Sequence, residues 1–217
     1  MLTLKNLLLM ALLSLTLPTY GQSAKATAAV GNINILDSSD LGWSTIMEQD
    51  IRTSNKKDLF MDVSLECGLY TKTEVKGQKG SKDTSKAKAV VRVRVLVDGK
   101  EAKPGEVVFC EREQELSAVL GGVLESCTDS NGDGTIISDE CLFSDEEISL
   151  MLKTMTANSF NFILDNMGSG RHHVEVQAQI QSKSEAGQGS ASAKASIGKG
   201  SVVIEEVRMI KDELIDF

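Results

Sequence analysis

The sequence predicts a mainly β protein: an antiparallel β-sandwich of jelly-roll type, with one or two short helices and a calcium-type loop flanked by cysteines. Two observations lead to this fold class. Apolar and polar residues alternate over several segments of strand length, which is typical of antiparallel sheets with one buried face. Gly-rich and Asp-Gly stretches separate these segments and favour turns. Two such sheets must pack face to face to bury their apolar sides.

The alternation defines the predicted strands. In DLFMDVSLECGLYT (58–71) the odd positions are apolar, so Cys67 is expected to point inward, and VVRVRVLVDGK (90–100) ends at an Asp98-Gly99 turn. Further strands are predicted at SFNFILDN, RHHVEVQAQIQ, ASAKASI and SVVIEEVRMI, the last two joined across Gly198-Lys199-Gly200, with edge strands near Ile33–Leu36 and Val107–Arg112. The residues expected to face the core are Val93, Val95, Phe160, Phe162, Val174 and Val176.

Helical patterns are local. Ser144 and Glu147 have the spacing of a capping box, and the apolar residues that follow recur at helical spacing, which predicts a short helix at about 145–155. LSAVLGGVL (116–124) is a candidate for a second helix. Its Gly121-Gly122 pair lowers the helix propensity by roughly 2 kcal/mol.

The amino terminus has the pattern of a secretory signal peptide. Lys5 precedes an apolar run from Leu7 to Leu17, and Gly21 lies where a signal peptidase would cut. The run is too short to span a bilayer as a helix. The predicted organisation is a signal peptide at 1–21 and a single β-sandwich domain at 22–217, with a loop-and-helix insertion at about 116–156. The protein is therefore expected to be secreted.

Charge is negative overall and unevenly distributed. After loss of Lys5 with the signal peptide, 22 basic residues face 31 acidic ones, which argues against nucleic acid or an anionic membrane as partner. Residues 72–94 have a net charge of +6, whereas residues 106–147 have a net charge of −11. The simplest interpretation is a solvated basic loop beside an acidic ion site.

Four cysteines in an exported chain predict two disulfides, for which three pairings exist. Cys127 and Cys141 flank the acidic loop and are expected to pair, which leaves Cys67 with Cys110. A zinc site is disfavoured because the chain has no CxxC pair and its two histidines are adjacent.

The twelve residues DSNGDGTIISDE between Cys127 and Cys141 resemble the calcium loop of EF-hand proteins. The resemblance implies ligands at Asp129, Asn131, Asp133, Thr135 (through its carbonyl) and Glu140, with Gly134 at the bend. The pattern departs at the ninth position, where Ile137 offers no side-chain oxygen. The alternative is an acidic turn without an ion. With a disulfide joining its ends, the loop is expected to bind Ca²⁺ as a structural fastener, since a switch requires helices that swing apart.

No pattern of a catalytic site is present. His172 shares the parity of the core-facing residues, His173 does not, and no GxSxG-type elbow accompanies them. The favoured function is a secreted, non-enzymatic structural or interaction module stabilised by calcium and disulfides. The alternatives are a secreted hydrolase or lyase on a jelly-roll frame, and a calcium-responsive binding protein.

Two wider resemblances bear on architecture. GSGRHHVEVQAQIQ followed by IGKGSVVIEEV resembles the last strands of C1q-like jelly-roll domains. Residues 88–210, with EREQELS and SDEEISLMLKTMTANSFNF, resemble an uncharacterised family of exported β-rich proteins. These resemblances imply export, a sandwich architecture and no known activity, and the C1q-like one implies a homo-oligomer. The expected partner is an unknown protein or a glycan.

Overall fold

The computed structural model describes residues 25–36 and 42–209, so the predicted signal peptide lies outside the described residues. The described chain forms β1 (Lys25–Leu36), β2 (Ser44–Thr53), β3 (Lys57–Gly77), β4 (Ser81–Val97), β5 (Lys100–Glu101), β6 (Val107–Leu120), β7 (Val123–Cys127), β8 (Cys141–Ser144), β9 (Glu146–Met167), β10 (Gly170–Ala186) and β11 (Ser190–Val207). One turn of 3-10 helix, Ser138–Glu140, lies between β7 and β8. In the described ranges no helix has the length and apolar character to cross a bilayer.

The long strands form two antiparallel sheets. The first has the order β1-β11-β3-β9, and the second has the order β2-β10-β4, with β5 and β6 both pairing with β4. Strands β7 and β8 form a separate hairpin. The predicted mainly β, antiparallel architecture is confirmed.

A single hydrophobic cluster draws its side chains from both sheets, as the alternation predicts. Of the residues expected inside, Val93, Val95, Phe162, Val174 and Val176 are all buried. The prediction that Phe160 faces the core is wrong, because its side chain is 40% exposed. It shares the parity of Phe162, but it lies on β9 at the edge of the first sheet, where no further described strand pairs beside it along most of its length.

The predicted helix at 145–155 is wrong, because residues 146–155 form the first part of the 22-residue strand β9. Their sequence fits both periods: Ile148, Leu150 and Leu152 also alternate. Strand pairing decides between the helical and the strand period. Strand β9 runs along β3 from Lys57 to Gly77, and its backbone supplies hydrogen-bond partners for the edge of β3 that faces it. Glu147 caps no helix and forms an ion pair with Lys76 of β3 at 3.0 Å.

The predicted second helix at 116–124 is also wrong. Strand β6 ends at Leu120, and β7 begins at Val123. Gly121-Gly122 forms the turn between them, and Gly122 has φ +85°. A Cβ on Gly122 would lie 2.7 Å from the Cβ of Gln78, so the close approach of two turns requires glycine here. The insertion predicted at about 116–156 is therefore limited to residues 121–145, between β6 and β9.

The segments predicted to flank Gly198-Lys199-Gly200 form one strand, β11, with a bulge in its pairing with β3 between Ile197 and Gly200. Lys199 donates its backbone N–H to Glu66 Oε2 at 3.1 Å, which fixes the bulge to β3.

The basic segment 72–94 is not a solvated loop. It comprises the end of β3, a tight turn at 78–80 and most of β4. The outward-facing cations of β4 pair with glutamates of β6: Lys86 with Glu115, Lys88 with Glu111 and Glu113, and Arg92 with Glu106, which precedes the strand. The two oppositely charged segments are therefore cross-strand partners.

Asp83 joins the β3–β4 hairpin to the β10–β11 hairpin. The residue is 4% exposed, and its carboxylate accepts the backbone N–H groups of Lys76, Thr84, Gln188 and Gly189, each at 2.9 Å. These hydrogen bonds hold the pKa of Asp83 below its usual value, with the N–H groups of Lys76 and Gln188 contributing most. A Cβ on Gly187 would clash with Asp83 Oδ1, so glycine at this position leaves room for the carboxylate.

Candidate functional site

The calcium-type loop lies at the tip of the β7–β8 hairpin. Cys127 and Cys141 are cross-strand partners and are joined by a disulfide, with their Cα atoms 4.0 Å apart. Thr128 donates its backbone N–H to the carbonyl of Glu140 at 3.1 Å, which closes the base of the loop just beyond the disulfide. The two ends of the loop are thus fixed by covalent and hydrogen bonds together.

Asp129 organises the first half of the loop. Its Oδ1 accepts the backbone N–H of Gly132 at 2.6 Å, and its Oδ2 accepts that of Gly134 at 2.9 Å. Both glycines have positive φ, at +72° and +78°, a backbone conformation that favours glycine. The chain therefore bends around the Asp129 carboxylate.

Asn131 and Asp133 make shorter-range turns in the middle of the loop. Asn131 Oδ1 accepts the backbone N–H of Asp133 at 2.9 Å, and Asp133 Oδ1 accepts that of Thr135 at 2.7 Å. The amide of Asn131 also donates to Asp133 Oδ2 at 3.1 Å. These bonds are the side-chain-to-backbone turns that Asn and Asp commonly form.

Glu140 links the end of the loop to its beginning through hydrogen bonds. Its Oε1 accepts from the backbone N–H of Ser130 at 3.1 Å and from the Ser130 hydroxyl at 2.8 Å, while Oε2 accepts the N–H of Ile137 at 3.2 Å. The hydroxyl of Ser130 and then the N–H of Ile137 lower the pKa of Glu140.

The donor set fits a hard cation in chemistry, because carboxylate, amide and carbonyl oxygens are the ligands Ca²⁺ prefers. In the described conformation, however, the carboxylates hold backbone N–H groups. No group of three or more His, Cys, Asp or Glu side chains able to hold a metal ion is found in residues 25–36 and 42–209. Ile136, at the position of the apolar anchor, is 54% exposed.

The second predicted disulfide lies in the body of the protein. It joins Cys67 of β3 to Cys110 of β6, with Cα atoms 6.6 Å apart, and so links the two sheets. Arg112 and Gln114 of β6 extend this link: Gln114 donates to Thr73 Oγ1 at 2.6 Å and accepts from Thr71 Oγ1 at 2.7 Å. Arg112 donates to the carbonyl of Leu69 at 3.3 Å and to the hydroxyl of Thr154.

The adjacent histidines lie at the start of β10. His172 is buried, as its parity predicts, and contacts Asp98 Oδ2 through Nδ1 at 2.7 Å and the carbonyl of Gly168 through Nε2 at 3.1 Å. His173 is exposed and contacts Asp50 Oδ1 at 3.0 Å. Since both ring nitrogens of His172 contact oxygen acceptors, this imidazole is a structural link between β10 and the β4–β5 turn.

One surface does not follow from the sequence patterns: the outer edge of β9, with which no other described strand pairs. Ile148, Leu150 and Leu152 are 42%, 41% and 42% exposed on one face, and Met151 and Met155 are 61% and 59% exposed on the other. The alternation of Ile148, Leu150 and Leu152 was the available signal, but the helical spacing of neighbouring residues obscured it. We call residues 146–161 the β9 edge.

Comparison with known proteins gives no family assignment. No protein-family model matches the chain. No curated protein matches it. A solved structure, described as that of infectious bursal disease virus, Gx strain, aligns over 85% of this chain and 40% of its own at 7% sequence identity, with a TM-score of 0.17. The chain thus spans less than half of that viral chain, and the likeness supports no conclusion about fold or function.

Proposed function

We propose that this protein is a secreted, non-enzymatic structural or interaction module on a jelly-roll frame, in which loop 129–140 binds Ca²⁺ as a fastener. Two antiparallel sheets, one of four strands in the order β1-β11-β3-β9 and one of five strands in which β5 and β6 both pair with β4 of β2-β10-β4, support the jelly-roll assignment. Two disulfides support export, because such bonds persist in oxidising compartments.

The observation that carries the calcium proposal is the position of Asp129 and Glu140. Asp129 is enclosed by the backbone of Gly132 and Gly134, and Glu140 is bonded to Ser130, the residue next to Asp129. The first and last ligands of the predicted set therefore lie at the same end of the loop. Ion binding requires these carboxylates and Asp133 to exchange backbone N–H partners for the cation, so a weak site, of extracellular type at about 0.1–1 mM, is expected.

A calcium titration followed by calorimetry and thermal melting tests the proposal. Millimolar calcium should raise the Tm of the wild type by about 1–5 °C, the linkage expected from an affinity of this order. Glu140→Gln removes a charge and weakens the two-oxygen clasp, so its Tm should be independent of calcium. Asp139→Asn is the matched control, since Asp139 is acidic and adjacent but outside the ligand set. Equal calcium responses in wild type and Glu140→Gln would reject the site.

The same calcium titration, followed by NMR, distinguishes a structural calcium site from a calcium-responsive binding protein. A fastener changes NMR signals only in residues 121–145, because the disulfide and the Thr128–Glu140 hydrogen bond hold the loop base. Calcium-dependent shifts that extend along β9 would indicate a responsive binder instead.

A further inference from the structure

The β9 edge lacks the protection that exposed edge strands usually have. Between Glu147 and Asp165 the only charged residue is Lys153. Residues 146–161 contain no proline, and the pairing with β3 runs without a bulge from Leu164 to Glu146. Long, regular and apolar edges of this kind are templates for another strand.

The backbone of β9 presents alternate residues to a partner. Ile163 exchanges two backbone hydrogen bonds with Lys103, at 2.8 and 2.9 Å, and therefore points its N–H and C=O away from β3. Because the register is uninterrupted, the odd-numbered residues from Glu147 to Asn161 point the same way. Among the described residues, no other backbone–backbone bond reaches these outward groups.

Side chains of β6 approach β9 without covering this edge. Gln114 donates to the carbonyl of Leu150 at 3.0 Å, and Arg112 donates to the hydroxyl of Thr154. Both acceptors belong to even-numbered residues, whose backbone groups face β3. The outward-pointing backbone of Glu147, Ser149 and Met151 is left for another strand.

We propose that a second copy of the chain occupies this edge, with the two β9 strands antiparallel and centred on Leu150. A two-fold axis at Leu150 pairs odd residues with odd residues, as the backbone requires: Glu147 with Lys153 and Ser149 with Met151 of the other copy. The proposal specifies the partner of the interaction module proposed above, and it does not depend on calcium.

Charge selects this register. Lys153 forms no ion pair with the described residues, whereas Glu147 is 47% exposed beside Lys76. Centring the strands on Leu150 places Lys153 opposite Glu147 twice, once at each end of the pairing, and extends the Lys76–Glu147 pair into a three-charge row across the interface. Cross-strand opposite charges stabilise a sheet, and like charges destabilise it.

The same register covers the exposed apolar face. Ile148 lies opposite Leu152, and Leu150 lies opposite its own copy, so the three half-exposed residues of each chain form one six-residue apolar patch. The ladder from residue 146 to residue 154 is about 30 Å long. Identical contacts from both copies make the interface isologous and closed, which gives a dimer and not a fibre.

Sedimentation of the full exported protein over a wide concentration range, with calcium and with chelator, measures the association. We expect a dimer in both conditions, and Lys153→Glu should weaken it by at least about tenfold, because two attractions become two repulsions. Glu147→Lys should weaken it as well. Mixing the two variants should restore dimers, since each Glu of one then faces a Lys of the other. Rescue excludes misfolding as the cause.

A cysteine scan tests the register. The described cysteines are all in disulfides, so an added cysteine is the only free thiol among them. Leu150→Cys should cross-link two copies under mild oxidation, whereas Leu152→Cys, equally exposed, should not. In the proposed register, residue 152 lies about 14 Å along the strand from its copy, beyond disulfide reach. A monomer at every concentration, or a dimer indifferent to Lys153→Glu, would overturn the proposal. A failed calcium response with intact dimers would reject only the calcium site.

Discussion

Asp83 and Asp129 both accept several backbone N–H groups, yet their surroundings are opposite. Asp83 is buried and collects donors from two hairpins more than 100 residues apart in sequence. Asp129 is only partly buried, and its donors lie within five residues of it. The first carboxylate fixes tertiary structure, whereas the second shapes one turn. The same residue type therefore has a global role in the body of the protein and a local role in residues 121–145.

The two disulfides show the same contrast between a global and a local role. Cys67–Cys110 joins two sheets, and Cys67 is 1% exposed. Cys127–Cys141 joins neighbouring strands of an exposed hairpin. Their sequence separations are 43 and 14 residues, for which chain entropy gives about 4 and about 3 kcal/mol. The positions of the two disulfides should widen this small difference in stabilisation, since the hairpin can open while the two sheets remain paired.

The largest effect should come from removing the inter-sheet disulfide. We expect Cys67→Ala/Cys110→Ala to lower the Tm by about 10 °C, the fall that corresponds to about 4 kcal/mol in a chain of this size. Cys127→Ala/Cys141→Ala should lower it by less than half as much. Differential scanning calorimetry of both double variants makes the comparison. Equal losses would show that the hairpin unfolds together with the body.

The next effect isolates the two carboxylates. Asp83→Ala leaves four backbone N–H groups without their acceptor and should lower the Tm by at least about 5 °C. Asp83→Asn, which keeps one acceptor oxygen, should fall between this variant and the wild type. Asp129→Ala is the control, and it should change the Tm by less than about 2 °C because water can replace its exposed hydrogen bonds. A larger loss from Asp129→Ala would contradict the division between body and loop.

The depressed pKa of Asp83 adds a pH dependence with a definite sign. A carboxyl whose folded pKa lies below its unfolded value stabilises the protein fully above the unfolded value. That stabilisation is lost as the pH falls through the folded pKa, because the protonated group no longer attracts four N–H donors. Wild type should lose stability on acidification below about pH 4, and Asp83→Asn should lose less.

The contrast between the long-range contacts of Asp83 and the local contacts of Asp129 also explains what could be predicted from the sequence. Short-range information predicted the alternating strands and the Cys127–Cys141 pair, because each depends on residues close in sequence. The Cys67–Cys110 pair, 43 residues apart, followed only by elimination. The role of Asp83 was not predictable, because the identity of its donors follows from how distant hairpins meet. The antiparallel pairing of residues 81–93 with residues 107–120 could not be predicted for the same reason, because charge counts give the sign of a segment but not its partner.

Strands β2 and β9 show where local patterns mislead. STIMEQDIRT, which forms β2, has too few apolar residues to display alternation, and it is held by pairing with β10. In β9, the helical spacing of Met151, Leu152 and Met155 matched a helix, but β3 offers a long row of backbone groups for pairing. Tertiary pairing overrides local propensity in such cases.

The smallest effect should come from His172, which links β10 to the β4–β5 turn. The Asp98 carboxylate, helped by the Gly168 carbonyl and opposed by burial, raises the pKa of His172. Asp98 responds in the opposite direction: burial raises its pKa, but hydrogen bonds from His172 and from the backbone of His173 lower it more. Both ring nitrogens of His172 contact oxygens, so satisfying both requires the doubly protonated imidazolium.

A raised folded pKa has the opposite consequence to that of Asp83. The stabilisation from His172 is complete below the unfolded pKa, near 6.5, and is lost as the pH rises through the folded value. His172→Gln should therefore lower the Tm by about 2–4 °C in mildly acidic solution, the effect of about 1 kcal/mol, and by less in alkaline solution. His173→Gln is the matched control: its ring is exposed, so solvent screens its contact with Asp50 and the change should be smaller at every pH. An NMR titration can measure the pH at which the His172 ring loses its proton. If that pH is lower than for a histidine in an unfolded peptide, Asp98 does not hold the ring as a cation.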